Sequence, residues 1–404
     1  MPFPFVCQDD NEVRLSDSLS EGEIKATQKR REKVLMCLKN LGIHCDQNNV
    51  PNIVVLGSGG GLRAMIALLG TLVELKKQNF LDAVMYLCGV SGSTWCMSLL
   101  YGDGKWSENL MYLEKELCKN LSNFSWHIRK AIKSLEESSK DEHYSLTDFW
   151  ASCLVYQILQ QFDENELADH REASETGINP YPIYAAVDKE KLNEEGGNFP
   201  GTWFEFTPHE VGYTALGAFV STKHFGSEFE NGKLKKRGKK KHICYMQGLW
   251  GSALGSIEEI LKFIRDSLAL FPQRRVYSNE DMFSHRLDKE KSASYQLCIE
   301  MCNTWAMKNK KERMESCAEL AKEIEKEFGG KYCTLMLIIK MMLSPSQVEI
   351  PTCICSKKLP CRLPCICFSN MTGFCAFFPL DLPQCFLEKK VLQKECYHHT
   401  MKSS

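Results

Sequence analysis

The stretch that decides the fold reads PNIVVLGSGGGLRA over residues 51–64, and a similar stretch, AVMYLCGVSGSTW, covers residues 83–95. Each stretch is an apolar run that ends in a turn rich in glycine and serine. A continuous apolar run bounded by glycine is typical of a strand that is buried on both faces. The sequence therefore predicts two core strands, from Ile53 to Leu56 and from Ala83 to Cys88.

Amphipathic helices are predicted on either side of the first strand. Ser20 and Glu23 form a capping-box pattern, and apolar residues at helical spacing then predict a helix over residues 21–41. The same spacing returns from Met65 to Leu75. The order strand, helix, strand favours a parallel sheet with catalytic groups at the carboxyl ends of its strands. We therefore predict an α/β fold with a central, largely parallel sheet.

Composition narrows the class of protein. The chain has 404 residues, 44% of them hydrophobic, and a net charge of −1, which argues against disorder and against a field that attracts nucleic acid. Residues 1–10 lack the basic and apolar parts of a secretory signal, so a cytoplasmic location with reduced cysteines is expected. The apolar run Leu335 to Leu343 is shorter than the roughly 20 residues of a membrane span. Any membrane contact is therefore expected to be peripheral.

The carboxyl-terminal part differs from the rest of the chain. Nine of the 20 cysteines lie between Cys333 and Cys396, where prolines also interrupt any regular period. We therefore predict a catalytic domain over residues 1–330 and a divergent, cysteine-rich tail over residues 331–404. Residues 105–195 are mostly polar and are predicted to be helical, as an insertion that covers a substrate cleft.

The turn Gly89–Ser93 has the setting of a nucleophile elbow, between an apolar strand and a helix that begins near Thr94. Its glycines allow a serine to occupy a tight strand-to-helix turn, and the amino end of the helix favours a developing anion. Ser93 stands where the usual GxSxG pattern has its last glycine. The turn predicts Ser91 as the nucleophile of acyl transfer, and a plain strand-to-helix connection is the alternative.

The glycine loop Gly57–Ala64 follows the first strand and opens a helix, which invites comparison with phosphate-binding loops. Leu62 stands where both the dinucleotide fingerprint and the P-loop need a small residue, so neither nucleotide motif fits. The unhindered N–H groups of the loop are suited to an oxyanion hole for an intermediate formed on Ser91. Arg63 has the planar donor fork that binds phosphate, with a surface ion pair as the alternative.

These two turns together resemble the cytosolic phospholipase A2 (group IV) family, and most of all its calcium-independent gamma type. The family patterns SGGGxRA and GxSGSTW match Ser58–Ala64 and Gly89–Trp95. Further family blocks match Asn179–Tyr184, Trp203–Gly212 and Gly217–Gly226. The resemblance extends from about residue 20 to about residue 256.

The resemblance implies a patatin-like catalytic fold and the hydrolysis of phospholipid and lysophospholipid acyl esters through a Ser/Asp dyad. Ser91 would be the nucleophile, Gly60 and Gly61 the oxyanion donors, and Arg63 the phosphate ligand. It implies no cofactor, no catalytic metal and no need for calcium. The partners it implies are phospholipids at the surface of intracellular membranes.

The catalytic Asp of the family is not recognisable. It belongs to a motif of Asp, a small residue and Gly, whereas Asp288 and Asp381 lack the glycine that lets a loop approach the serine. Asp188 is a conceivable substitute that also departs from the motif. The last residues, Thr400–Ser404, contain no prenylation signal. We therefore expect a fold that is incomplete at its carboxyl end, with a catalytically inactive lipid- or partner-binding chain as the alternative function.

Two other clusters are open to a functional interpretation. Seven lysines and arginines between Lys233 and Lys241 are expected to form a mobile solvated loop, with attraction to anionic lipid headgroups as the alternative. The thiol and imidazole side chains of the tail fit zinc in type, but their spacing is poor, so an unstructured tail is favoured. These side chains are Cys353, Cys355, Cys361, Cys365, Cys367, His398 and His399.

Overall fold

The computed structural model describes residues 10–122, 128–188, 203–251, 297, 300–301, 303–328 and 375–380. The chain divides into two compact units. The first unit contains residues 1–116, 165–243 and 363–404, and the second contains residues 117–164 and 244–362. The division predicted at residue 330 stays a prediction, because the chain on either side of it lies outside the described residues.

Eight strands form one sheet in the first unit, in the order β1-β7-β6-β5-β4-β3-β2-β10, and β8 and β9 form a hairpin. The strands are β1 (Arg14–Leu15), β2 (Asn52–Gly57), β3 (Val84–Val90), β4 (Tyr181–Val187), β5 (Trp203–Phe206), β6 (Glu210–Tyr213), β7 (Ala218–Ser221), β8 (Glu228–Glu230), β9 (Lys233–Lys236) and β10 (Cys375–Leu380). Strand β3 pairs in parallel with β2 and β4, and the other pairs are antiparallel.

The helices are α1 (Glu21–Asn40), α2 (Leu62–Lys77), α3 (Gly92–Leu100), α4 (Trp106–Ser122), α5 (Ile128–Ser138), α6 (Leu146–Phe149), α7 (Tyr156–Leu159), α8 (Arg171–Ser174), α9 (Ile243–Gly251) and α10 (Lys310–Phe328). A π-helical segment, Trp150–Val155, joins α6 to α7. Short 3-10 turns lie at Gln47–Asn49, Leu81–Ala83, Leu167–His170, Thr214–Leu216, Thr222–His224 and Thr304–Ala306. Among the described helices, none is both long enough and apolar enough to cross a membrane.

The predicted α/β class and the βαβ unit are confirmed. Parallel pairing is confined to β2, β3 and β4, and antiparallel strands extend the sheet on both sides. The predicted tail contributes one described element, β10, which pairs with β2. Helices fill most of the described part of residues 105–195, as predicted, but β4 also lies there.

The first helix is capped as its sequence predicts, because the Ser20 hydroxyl accepts a hydrogen bond of 3.2 Å from the Glu23 N–H. Its apolar side contributes Val34 and Leu38 to a core beneath β2 and β3. Its buried Arg30 donates hydrogen bonds to the carbonyl groups at the start of β3 and before β4, which are those of Leu81, Val84, Gly177 and Ile178. Burial lowers the pKa of Arg30 to about 10.

The two edges of the sheet are defined by the parallel strands. We call the side of the sheet at which β2, β3 and β4 end the carboxyl edge, and the side at which they begin the amino edge. The register extends this division to the antiparallel strands, because Val187 lies opposite Trp203, Tyr213 opposite Ala218, and Ala218 opposite Leu15. The start of β5, the end of β6, the start of β7 and the end of β1 therefore also lie at the carboxyl edge.

Part of the basic cluster forms a hairpin, which corrects the expectation of a mobile solvated loop. Residues Lys233–Lys236 form β9, opposite β8. Lys235 lies 3.2 Å from Glu230, and Lys236 lies 3.7 Å from Glu228, so acidic residues of β8 pair with basic residues of β9. The Val13 N–H donates to the Gly232 carbonyl at 2.7 Å. The hairpin therefore lies beside the chain that leads into β1, on the amino-edge side.

The second unit has its own buried anchor. Arg313 of α10 donates to the carbonyls of Ser139, Asp141 and Met307 at 2.7 to 3.1 Å. Its guanidinium carbon also lies 5.4 Å from the centre of the Tyr144 ring. These contacts tie α10 to the chain that follows α5.

Candidate active site

Ser91 lies between the last residue of β3 and the first residue of α3, at the carboxyl edge. Its backbone has φ 52° and ψ −128°, in a region that residues with a side chain rarely adopt. A backbone held in such a region costs on the order of 1–3 kcal/mol and is typical of functional turns. The conformation is that of a nucleophile elbow, in which the strand directs the serine out of the sheet.

Helix α3 begins at this serine. The Thr94 N–H donates to the Ser91 carbonyl at 2.9 Å, and the Thr94 hydroxyl donates to the same oxygen. All nine residues of α3 are buried, and Ser91 itself is 4% exposed. The partial positive charge at a buried helix amino end is weakly screened, so it stabilises an anion that forms next to Ser91.

The glycine loop lies directly against the serine. A methyl group at Gly59 would lie 3.5 Å from the Cβ of Ser91 and 3.9 Å from its Oγ. Gly60 and Gly61 follow with φ angles of 138° and 59°, which only glycine adopts at low cost. The loop that carries the predicted oxyanion donors therefore adjoins the turn that carries the predicted nucleophile.

Helix α2 starts from this loop, with Gly61 as the residue that precedes it and the Met65 N–H bound to the Gly61 carbonyl at 3.1 Å. The amino ends of α2 and α3 thus meet beside Ser91. Amino ends of helices carry N–H groups without a partner in the helix, and these groups bind anions. The arrangement suits a tetrahedral oxyanion, whereas the roles of Gly60 and Gly61 stay predictions.

The two turns are locked together. A methyl group at Gly92 would lie 1.8 Å from the Gly61 carbonyl oxygen, so the backbones are in direct contact there. The Ser93 hydroxyl donates to the Ser58 carbonyl at 2.7 Å, which joins the elbow to the glycine loop. Ser93 is the residue that departs from the GxSxG pattern, and sequence reasoning missed this contact. Spacing along the chain carries no signal for it, because the two residues come from different turns.

Arg63 is exposed on the first turn of α2. Among the residues that the structure describes, its guanidinium makes no hydrogen bond and no ion pair, so the alternative of a surface ion pair gains no support. It lies within the glycine loop, two residues after Gly61, and at the same edge as Ser91. A free guanidinium at this position is suited to a phosphate group.

A general base next to Ser91 is absent from the described part of the chain, where no side chain hydrogen-bonds to its Oγ. Asp188 follows β4 and accepts a hydrogen bond of 3.1 Å from the Tyr213 hydroxyl, so its carboxylate is engaged elsewhere on the sheet. Asp288 and Asp381 lie outside the described residues. The carboxylate of the predicted dyad therefore stays unassigned.

Within the described ranges, no three His, Cys, Asp or Glu side chains are arranged to hold a metal ion. The cysteines considered for zinc, from Cys353 to Cys367, lie outside those ranges, as do His398 and His399. Among the described residues, the groups at the site are backbone N–H donors, the Ser91 hydroxyl and the Arg63 guanidinium.

The sequence is similar to known phospholipases. A model of the lysophospholipase catalytic domain matches residues 53–319. Human cytosolic phospholipase A2 gamma is 44% identical over 260 residues, which are 64% of this chain and 47% of that protein. Mouse cytosolic phospholipase A2 zeta is 40% identical over 261 residues, which cover 61% of this chain and 30% of that protein.

The fold is similar to a solved structure, that of human GIVD cytosolic phospholipase A2 in complex with methyl γ-linolenyl fluorophosphonate and terbium chloride. The TM-score is 0.53 at 33% sequence identity, with 61% of this chain and 37% of that chain covered. The chain spans less than half the length of the curated relatives named above. The predicted resemblance and the predicted catalytic fold are thereby confirmed.

Proposed function

The chain belongs to the cytosolic phospholipase A2 family, and on this premise we propose that it hydrolyses acyl esters of glycerophospholipids and lysophospholipids with Ser91 as nucleophile. The observation that carries the proposal is the strained backbone of Ser91 at the start of α3, in contact with a glycine loop. A buried helix amino end and unhindered N–H groups stabilise the charge that develops in acyl transfer.

The chemistry has two steps. The Ser91 Oγ bonds to the ester carbonyl carbon, and the N–H groups of Gly60 and Gly61 donate to the resulting oxyanion. Collapse of this intermediate breaks the bond to the glycerol oxygen, which takes up a proton, and leaves the acyl group on Ser91. Water then attacks the acyl-enzyme and releases the fatty acid. The proton of Ser91 has to pass to a base, a role that the resemblance gives to an Asp carboxylate and that is unassigned in this chain.

Arg63 fits the phosphodiester of the bound lipid, because guanidinium groups bind phosphate oxygens with two parallel hydrogen bonds. We propose that turnover needs no calcium, since backbone donors and Arg63 supply the positive charge. Hydrolysis that persists after calcium is removed with a chelator is the expected result. We also propose that the chain acts in the cytoplasm, as the names of its relatives suggest, and at membrane surfaces, where its proposed substrates lie.

A fluorophosphonate probe tests the nucleophile, because such probes form a covalent bond with an activated serine. A solved relative is in complex with a fluorophosphonate, so the probe suits this family. Labelling is expected in the folded chain, and it is expected to disappear in Ser91→Ala. A matched control is Ser98→Ala, which removes another buried hydroxyl of α3 and should leave labelling intact.

The amount of fatty acid released from phospholipid vesicles completes the test. Release that depends on Ser91 supports the proposal. A folded chain that labels at no residue, or that labels equally in Ser91→Ala, contradicts it. Vesicle binding without labelling and without fatty acid release would instead support the inactive lipid-binding alternative.

A further inference from the structure

The large hydrophobic side chains that are exposed include a set at one edge of the sheet. Leu15 is 77% exposed, Leu216 is 54%, Val187 is 40% and Trp203 is 37%. All four lie at the carboxyl edge, on or next to strands β1, β4, β5 and β7. Isolated exposed leucines are common on soluble proteins, but a set confined to one edge indicates an interaction surface. These four residues are called the apolar rim.

The register of the sheet places the apolar rim next to Ser91. Val90, the residue before Ser91, lies opposite Ala185, so Ala186 is level with Ser91. Val187 and its partner Trp203 lie one residue further out, directly opposite each other on β4 and β5. Val187 and Trp203 therefore lie beyond the nucleophile at this edge, and a surface that touches them faces Ser91.

The rim continues along the sheet to its last strand. Leu15 of β1 lies opposite Ala218 of β7, and Leu216 precedes that residue by two positions. Strands are spaced about 4.8 Å apart, so the four intervals from β4 to β1 extend over about 19 Å. This length is comparable with the width of several lipid headgroups, which is more than one substrate molecule would need.

The charged side chains near the apolar rim indicate which kind of membrane the rim can contact. Three carboxylates lie near it, in Asp17 beside Gly217, Glu205 at 2.5 Å from the Thr214 hydroxyl, and Asp188 after β4. These three acidic groups outnumber the exposed cation named at this edge, Arg63, and so disfavour a negatively charged membrane. The basic hairpin of β8 and β9 adjoins Glu12 and Val13, which precede β1, so it lies on the amino-edge side of the rim.

We propose that the apolar rim docks onto a zwitterionic phospholipid surface, such as phosphatidylcholine, and thereby presents Ser91 to the lipid. The inference rests on the proposed function, because the ester has to reach Ser91 from the carboxyl edge. Apolar side chains lower their free energy when they enter the boundary between headgroups and acyl chains. An aromatic residue such as Trp203 is suited to this boundary, because its ring has an apolar body and a polar N–H group.

The test compares two pairs of substitutions in the Ser91→Ala chain, which cannot consume the vesicles. Leu15→Gln with Leu216→Gln removes the most exposed part of the rim without adding charge. The matched control, Met36→Gln with Phe80→Gln, removes hydrophobic side chains that are 64% and 39% exposed and that lie away from the carboxyl edge. Sedimentation with phosphatidylcholine vesicles measures binding, and circular dichroism checks that each variant is folded.

The rim variant is expected to bind phosphatidylcholine vesicles about tenfold more weakly or worse, since two exposed leucines no longer leave water. The control variant is expected to bind as the parent does. A second measurement uses bromine-labelled phosphatidylcholine, which quenches tryptophan fluorescence on contact. Quenching is expected to fall in Trp203→Phe, because Trp95, Trp106, Trp150 and Trp250 are buried and contribute little to it.

Several results would overturn the proposal. These are equal binding by the rim and control variants, no binding of the parent chain to vesicles, or binding that requires phosphatidylserine and is lost in Lys235→Gln with Arg237→Gln. A rim variant that changes only self-association would assign the rim to contact between two copies of the chain. Fluorophosphonate labelling of Ser91 in solution needs no vesicle, so failure of docking is distinguishable from failure of the proposed function.

Discussion

The two edges of the central sheet are built in different ways. At the carboxyl edge the strands end in glycine turns, Ser91 has a positive φ angle, and apolar side chains face the solvent. At the amino edge, long-range hydrogen bonds join buried polar side chains to other elements of the sheet. Arg30 binds several backbone carbonyls, and His209 accepts or donates at 2.8 Å with the Tyr181 hydroxyl.

The comparison indicates that backbone strain is located at the carboxyl edge, whereas the amino edge contributes to the stability of the fold. A strained backbone is retained where it positions a reactive group, and its cost is met by the rest of the fold. Buried donors and acceptors that are fully paired stabilise one arrangement of the chain. Changes at the carboxyl edge should therefore alter activity, whereas changes at the amino edge should alter stability.

The largest expected effect is at the carboxyl edge. Ser91→Ala should reduce the rate of fatty acid release by about a millionfold, because the bond-forming oxygen is removed. The unfolding temperature should hardly change, since the hydroxyl has no hydrogen-bond partner among the described residues. Assays of release and of thermal unfolding on the same preparation check both points. A variant with a much lower unfolding temperature than the parent would contradict the claim that the carboxyl edge affects activity and not stability.

The next effect belongs to the amino edge. Arg30→Met should lower the free energy of unfolding by about 3–5 kcal/mol, because the carbonyls of Leu81, Val84 and Gly177 lose the buried side chain that donates to them. Urea denaturation measures the change. The adjacent Arg31→Met serves as the control, since Arg31 is only half-buried and should cost little. Folded Arg30→Met protein should still react with the fluorophosphonate probe, and loss of that reaction would show that the edges are coupled.

A dependence on pH is expected from His170, which is buried beside Tyr184 in the middle of β4. Burial lowers the pKa of His170 to about 4, although the charge of Asp169 opposes the shift. Its Nδ1 lies 3.1 Å from the Tyr184 hydroxyl. The unfolded chain binds a proton below about pH 6.5 and the folded chain only near pH 4, so stability falls as the pH falls between these values.

The loss from His170 should amount to about 2 kcal/mol between pH 7 and pH 5. Unfolding measured at both values, with His170→Gln as the comparison, isolates this contribution from that of the carboxylates. The variant should be less stable at pH 7 but should lose less on acidification. Equal losses in both proteins would exclude the buried imidazole as the cause.

The smallest expected effect is a difference in stability between two substitutions of Ser91. Ser91→Gly removes both the nucleophile and the Cβ that the positive φ angle disfavours, whereas Ser91→Ala removes only the nucleophile. The glycine variant should therefore be about 1 kcal/mol more stable than the alanine variant. Differential scanning calorimetry of the two inactive proteins gives the difference. A glycine variant that is less stable would show that the turn is not strained.

Much of the site was predictable, because each of its parts is encoded by a short, continuous stretch of sequence. The strands β2 and β3, the helix α2 and the elbow each follow from a short apolar run and the glycines that end it. The gamma likeness was also predictable, because the two glycine turns are unusually specific together. Contacts across the turns, such as the hydrogen bond from Ser93 to Ser58, were not, because they depend on how distant segments meet.

Other elements were hidden for identifiable reasons. Strand β4 contains Pro182, a residue that argues against a central strand in any sequence pattern. Strands β5, β6 and β7 contain four residues each, too few to establish an alternating period. The hairpin β8–β9 was expected to be a loop because its like charges repel, yet the acids of β8 pair with them. The general base has no local signature, since it must come from a distant part of the chain.

The close approach of Gly92 to Gly61 has a consequence for anyone who would transfer this catalytic centre to another protein. Because the two backbones touch where a methyl group would not fit, neither turn can be copied alone. A side chain in place of Gly92 would overlap the Gly61 carbonyl, whereas Gly61 is needed for its φ angle of 59° and not for space. The two turns would therefore have to be transferred together, as one segment of about 45 residues from the start of β2 to the middle of α3.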